Sequence, residues 1–295
     1  MVSASAQSTR AVVTAIDPGE FDLTAALRYR CVVAVGRQAS TQAHSPGEGH
    51  EMIEQTVEIP TADGSCTTFI AHPDRGGPHP PILFYMDSPA IREELRDMAR
   101  RLASSGYYVV LPNMYYRSGV MELGPIDRTP DGPWLTRMFQ LMGSINIPLV
   151  MDDTDALLAF IDTQAAAKKG RIGTLGYCMS GQYALSAAGR YPDRVAAAAS
   201  IYGILLMTDA PDSPHLAVRK AKGEIYVACA EHDQWAPLTM VHALAADFRE
   251  HGVNGEVEIY AGTEHGFAFP QRPIYDKSSA ERHWTRLLAL FSRNL

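Results

Sequence analysis

The stretch from residue 172 to residue 188 constrains this chain most. An apolar run at 172–175 suits a buried strand, Gly176-Tyr177-Cys178-Met179-Ser180-Gly181 suits a sharp turn, and 182–188 suits a helix packed closely on a sheet. Small residues at 176, 180 and 181 fit a turn whose helix must pass close to the neighbouring strands. This is a nucleophile-elbow pattern with sulfur in place of the usual hydroxyl. The helix N-terminus behind the turn favours a thiolate, the reactive form of cysteine.

Around that turn the chain alternates strand and helix patterns, as an α/β sheet requires. Two early strands at 56–59 and 66–71 are joined by the Ala62-Asp63-Gly64 turn. Pro80-Pro81 introduces 82–86, a continuous apolar run of the kind found in buried parallel strands. An amphipathic helix at 91–105 and a strand at 107–111 follow. The connection 112–132 is long and rich in Pro, Gly and Tyr, and connections of that length usually carry function. A helix at 152–168 stops at Gly170; strands are expected at 171–177, 195–202, 224–230 and 256–260, with helices at 236–251 and 276–293.

Residues 1–51 are rich in Ser, Ala, Thr, Gln and Gly and read as a poorly ordered N-terminal extension, with a short strand at 27–36 and a flexible linker at 38–49. Residues 52–295 read as one domain, a length able to bury a sizeable core. A net charge of −7 disfavours nucleic acid as a partner. Apolar runs stay short of the roughly 18 residues of a membrane span, and the N-terminus lacks a basic segment followed by an apolar one, so no membrane partner is expected. Cysteines 31, 66, 178 and 229 are too few and too scattered to staple the chain. A reducing cytoplasm is the expected home. No cofactor is expected, and no His/Cys/Asp cluster has the spacing of a metal site.

Functional groups in such a sheet gather at the carboxyl ends of strands. Cys178 lies after one strand, Asp233 after another and His265 after the last. The order nucleophile, acid, histidine is the order of α/β-hydrolases, and the spacings leave room for the intervening strand and helix units. Each residue also has an ordinary reading: Cys178 as a small buried hydrophobe, Asp233 as a cap of the helix near Pro237, His265 as a solvent-facing loop residue. Gly266 beside His265 suggests backbone crowding near a site. His72, His79, His215 and His283 read as surface residues.

From about Met52 to its end the chain resembles the dienelactone hydrolase family. The resemblance rests on the turn around Cys178, the segment Asp233-Gln234-Trp235-Ala236-Pro237, the segment Gly262-Thr263-Glu264-His265-Gly266-Phe267, and Gly106-Tyr107-Tyr108 leading to Pro112-Asn113-Met114-Tyr115-Tyr116-Arg117. It implies an α/β-hydrolase fold with a mostly parallel sheet of about eight strands flanked by helices. It also implies a Cys178-His265-Asp233 triad cleaving an enol-lactone or related ester; the expected partner is a small-molecule ester or lactone, and the expected assembly a monomer or homodimer. The family's strand-end glutamate, which meets the resting thiol, falls on Asp87, one methylene shorter. Its first substrate-carboxylate arginine falls on Arg117 and its second on Phe269, where a neutral ring cannot pair with a carboxylate. Arg272 compensates only if its loop turns back.

With His265 as base and Asp233 orienting it, the Cys178 thiolate attacks a carbonyl whose oxyanion is held by the backbone N–H groups of Met179 and Ser88. Aromatic and apolar residues such as Tyr115, Tyr116, Trp134, Met138 and Phe139 either wall the pocket or pack the core. Two other readings stand beside this one: a general carboxylesterase or thioesterase on the same fold, and a non-catalytic ligand binder on a hydrolase scaffold.

Overall fold

A computed structural model describes residues 52–295; the strand expected at 27–36, the linker at 38–49 and the rest of the 1–51 extension lie outside the described residues. Strands β1 (Met52–Thr61), β2 (Gly64–Pro73), β3 (Pro81–Tyr85), β4 (Tyr108–Pro112), β5 (Ile172–Tyr177), β6 (Val195–Ile201), β7 (Glu224–His232) and β8 (Gly255–Glu264) form one sheet in the order β1-β2-β4-β3-β5-β6-β7-β8. β2 is antiparallel to both of its neighbours, β1 and β4, whereas β3 to β8 are all parallel. The helices are α1 (Glu93–Ser104), α2 (Pro133–Met142), α3 (Ile147–Thr163), α4 (Gly181–Arg190), α5 (Pro214–Val218), α6 (Leu238–Glu250) and α7 (Lys277–Asn294).

Every residue of β3, β4, β5 and β6 is buried, which explains why these strands read as apolar runs rather than alternating ones. Two successive residues of β5 show what covers the sheet. A side chain on Gly173 would stand 2.7 Å from Phe291 of α7, while Thr174 donates to the Ala184 carbonyl of α4 at 3.0 Å. Successive strand residues point to opposite faces, so α4 and α7 cover opposite sides. On the α7 side lies α1, whose Arg101 stacks on Trp284 at 4.5 Å and pairs with Glu281.

Helix α3 departs from its expected bounds at both ends. It begins at Ile147 because the Asn146 side chain accepts from the Leu149 N–H and Pro148 fits the first turn. It ends at Thr163 because the following residues are drawn to the chain at His79, whose N–H donates to Ala166 O at 2.7 Å and whose carbonyl accepts from Lys168 N at 2.8 Å. Histidines 72, 79, 215 and 283 are buried rather than exposed. His283, wholly enclosed, bonds the Tyr177 hydroxyl at 2.9 Å beneath the turn after β5, and burial lowers its pKa to about 3, leaving it neutral.

The tight turn after β5 needs its glycines. A Cβ on Gly176 would lie 2.1 Å from the Ser180 carbonyl oxygen, and one on Gly181 would lie 2.6 Å from Gly203 Cα. Both obstacles are backbone, which cannot swing aside. Gly176→Ala is therefore expected to destabilise the fold by about 3 kcal/mol, measured by urea unfolding. Gly143→Ala, whose new atom would meet nothing nearer than 3.4 Å, is expected to stay within about 0.5 kcal/mol of the native chain.

Candidate active site

Cys178 opens a single 3-10 turn, Cys178–Ser180, between β5 and α4. Its φ of 55° is a left-handed conformation that a non-glycine residue adopts only when the surroundings fix it. They do so here through hydrogen bonds: the Ser180 hydroxyl donates to Tyr85 O at 3.0 Å and accepts from Tyr177 N at 3.1 Å, and the Cys178 carbonyl accepts from Ile204 N at 3.2 Å. The strained turn lifts the sulfur off the sheet edge. The Cys178 side chain is partly accessible, in contrast to the enclosed Cys66 and Cys229.

Asp233, after β7, is fixed by three donors. Its Oδ1 accepts from the backbone N–H of Trp235 at 2.8 Å and Ala236 at 3.1 Å, and its Oδ2 accepts from His265 Nδ1 at 2.7 Å. It therefore closes its own turn and holds an imidazole, rather than capping α6, whose N-cap is Pro237. The His265 ring also meets the Tyr202 ring edge-on at 5.0 Å.

Charge couples the imidazole to the sulfur. Burial alone pushes the Cys178 thiol up, but the neighbouring His265 outweighs it and brings the thiol below its ordinary value. For His265 burial favours the neutral ring, yet the Cys178 and Asp233 charges raise its pKa to about 9. Each stabilises the charged form of the other.

Ser88 and Tyr115 meet at the same place. The Ser88 hydroxyl lies 3.8 Å from the Cys178 sulfur, and the Tyr115 hydroxyl donates to Ser88 O at 3.0 Å beside the Met179 sulfur at 3.4 Å. Tyr115 thus ties the loop after β3 to the turn after β5, where Met179 and Ser88 are expected to present their N–H groups. Phe139 of α2 packs at 6.0 Å from Trp235, next to Asp233.

Arg117 and Phe269, the positions on which the family's two arginines fall, have other partners. Arg117 is committed to the buried carboxylate of Asp153 through two 2.8 Å bonds, and to Asp63. It fastens the Tyr116–Ser118 turn to α3. Phe269 is fully enclosed, its ring packed on Tyr177 at 5.5 Å and Tyr202 at 6.2 Å. Aromatic packing under the turn after β5 claims it. The family's position-by-position pattern gives no hint of that burial.

Asp87 is buried and does lie within electrostatic reach of Cys178, but its oxygens are taken by arginines. Arg92 forks onto them at 2.6 and 3.1 Å, and Arg272 reaches Oδ2 at 3.1 Å, its loop having turned back. Arg92 went unread in the sequence. Its signal is a cation at the N-cap of α1, where the helix dipole disfavours positive charge unless an acid offsets it. Among the described residues no group of three or more His, Cys, Asp or Glu is arranged to hold a metal ion, and no helix is long and apolar enough to cross a membrane.

Comparison with known proteins places this arrangement. A protein of Methylorubrum extorquens AM1 named "Putative carboxymethylenebutenolidase" is 28% identical over 247 residues, 81% of each chain. A crystal structure titled "Putative Dienelactone Hydrolase", from Klebsiella pneumoniae, covers 82% of this chain and 99% of its own with a TM-score of 0.73 at 23% identity. A dienelactone hydrolase-like promiscuous phosphotriesterase from metagenomic libraries covers 82% of this chain and 98% of its own, with a TM-score of 0.68 at 20% identity. At those identities the solved structures speak for the α/β-hydrolase fold. Residues 66–295, most of the chain, match the model of the dienelactone hydrolase family, to which this chain belongs.

Proposed function

We propose that the chain hydrolyses an enol-lactone or a related carboxylic ester through a thioester on Cys178. The observation that carries this reading is the His265 imidazole, hydrogen-bonded to Asp233 at 2.7 Å on one side and charge-coupled to Cys178 on the other. Cys178 attacks the carbonyl carbon as a thiolate, and the oxyanion is held by the N–H groups of Met179 and Ser88. As the C–O bond breaks, His265 gives its proton to the departing oxygen. It then takes a proton from the water that cleaves the thioester, and the acid product leaves with the thiolate restored. Asp233 keeps the Nδ1 proton in place throughout. A reducing, cytoplasmic setting suits a nucleophile of this kind.

The pH dependence follows from the pair. The active form needs the thiolate and the imidazolium together, so kcat/KM is expected to rise on an acid limb below the ordinary thiol value and to fall on an alkaline limb near pH 9. A stopped-flow profile from pH 5 to 10 checks this. A single limb near pH 8.5 would mean that the sulfur rests as a thiol.

A neutral, linear ester is the second reading. Arg117 pairs with Asp153 and Asp63, and Phe269 stands where the family resemblance implies an arginine, which supports a substrate without a carboxylate. Hydrolysis rates on an acidic enol-lactone, a neutral lactone and a neutral linear ester separate the two. A preference for lactones of at least about tenfold, some 1.4 kcal/mol, supports the first reading; equal or faster turnover of the linear ester selects the second.

A further inference from the structure

Outside the triad, the most unusual arrangement is a buried ionic cluster beside it. Asp87 is completely buried, and all of its hydrogen bonds to other side chains run to two guanidinium groups, with none to the Cys178 sulfur. Arg92 also grips Glu94, through Nη2 at 2.9 Å and Nε at 3.1 Å, and the other Glu94 oxygen accepts the Gln271 backbone N–H at 3.1 Å. That bond anchors the chain immediately before Arg272. Both cations lie over the Phe269 ring, with Arg272 Cζ 4.4 Å and Arg92 Cζ 4.9 Å from its centroid. Gly266, at φ 98°, leaves room for the Arg272 side chain: a Cβ there would stand 2.3 Å from Arg272 Nη1. The guanidinium therefore crosses the backbone directly beside His265.

We propose that Arg272 and Arg92 form a clamp that holds the Asp87 carboxylate off the sulfur, making Arg272 a positioning residue that keeps Cys178 charged before any substrate arrives. Two carboxylates and two guanidiniums balance, so the cluster adds no net charge to the site. A free Asp87 carboxylate would instead oppose the thiolate, as its effect on Cys178 shows, while Arg272 favours it. The other groups facing the sulfur are the Asp233–His265 pair, Arg128 of the connection before α2, and the Tyr115 and Tyr202 hydroxyls, which burial keeps protonated. Phe269 has a use in this arrangement: an arginine there would add a third cation to a cluster already balanced.

The proposal rests on the reading of Cys178 as a nucleophile, yet it is tested without a substrate. The rate of Cys178 alkylation by iodoacetamide is followed against pH, with the Cys178 peptide quantified by mass spectrometry so that other thiols do not contribute. The native midpoint is expected below the ordinary thiol value of about 8.5. Arg272→Met is expected to raise it by about one unit, slowing alkylation at pH 6.5 about tenfold, and Arg272→Lys is expected to restore most of that rate. Asp87→Asn added to Arg272→Met removes the excess negative charge beside the sulfur and brings the midpoint back down. The double variant also folds if the single one fails, because Glu94 and Arg92 then balance and the buried cluster carries no excess carboxylate. A native midpoint at or above 8.5, or equal midpoints in Arg272→Met and the double variant, overturns the clamp. A low native midpoint with no acyl transfer to Cys178 would instead refute the hydrolytic reading and leave the clamp standing.

Discussion

Cys178→Ala is expected to lower kcat/KM by roughly 10⁵-fold on every ester or lactone the native chain cleaves, with unfolding free energy changed by no more than about 0.5 kcal/mol. The loss is large because neither of the other thiols among the described residues stands in. Cys66 and Cys229 are buried, with their thiols pushed up to about 12. Stability is spared because alanine and cysteine carry the same backbone strain at φ 55°, and the side chain is a partly open one. A second consequence is spectroscopic. The Cys178 charge is the largest influence raising the His265 pKa, so the imidazole of the variant titrates below the native value of about 9. Steady-state rates, urea unfolding and the His265 ring proton shift test these three outcomes separately.

Asp233→Asn is expected to cost roughly 10⁴-fold in kcat, by way of tautomer choice rather than lost contact. The carboxylate accepts on both oxygens: Oδ1 from the Trp235 and Ala236 N–H groups, Oδ2 from His265 Nδ1. An asparagine can accept on only one side. Two fixed backbone donors hold its carbonyl, so its NH₂ faces His265 Nδ1, which must then accept. The remaining ring proton moves to Nε2 and no base is left for the sulfur. A kcat within tenfold of native would mean that Asp233 serves its turn alone.

The residues that gather at the turn after β5 were legible in the sequence. Cys178, Asp233 and His265 each follow a strand and sit among small or turn-forming residues, so chain order and spacing located them before any contact was known. The strands β3 to β6 were legible because burial on both faces forces continuous apolar composition. The surroundings of Arg117 and Phe269 were not legible because they come from distant segments. Asp153 on α3 draws the arginine away, and the stack of Tyr177 and Tyr202 encloses the ring. Arg272 was readable only as a condition, since its reach depends on a glycine six residues earlier leaving its path open. The end of α3 was decided by pairing with His79, a contact helix propensity does not report.

The covalent intermediate is the centre of this account, and intact-protein mass spectrometry meets it most directly. The native chain and Cys178→Ala are incubated with a panel of lactones and esters, quenched in acid within the first turnover, and mapped by peptide. A mass gain equal to the acyl group, carried on the peptide containing Cys178 and absent from the variant, is the predicted result. Turnover that persists in Cys178→Ala, or an acyl group recovered on another residue, contradicts it.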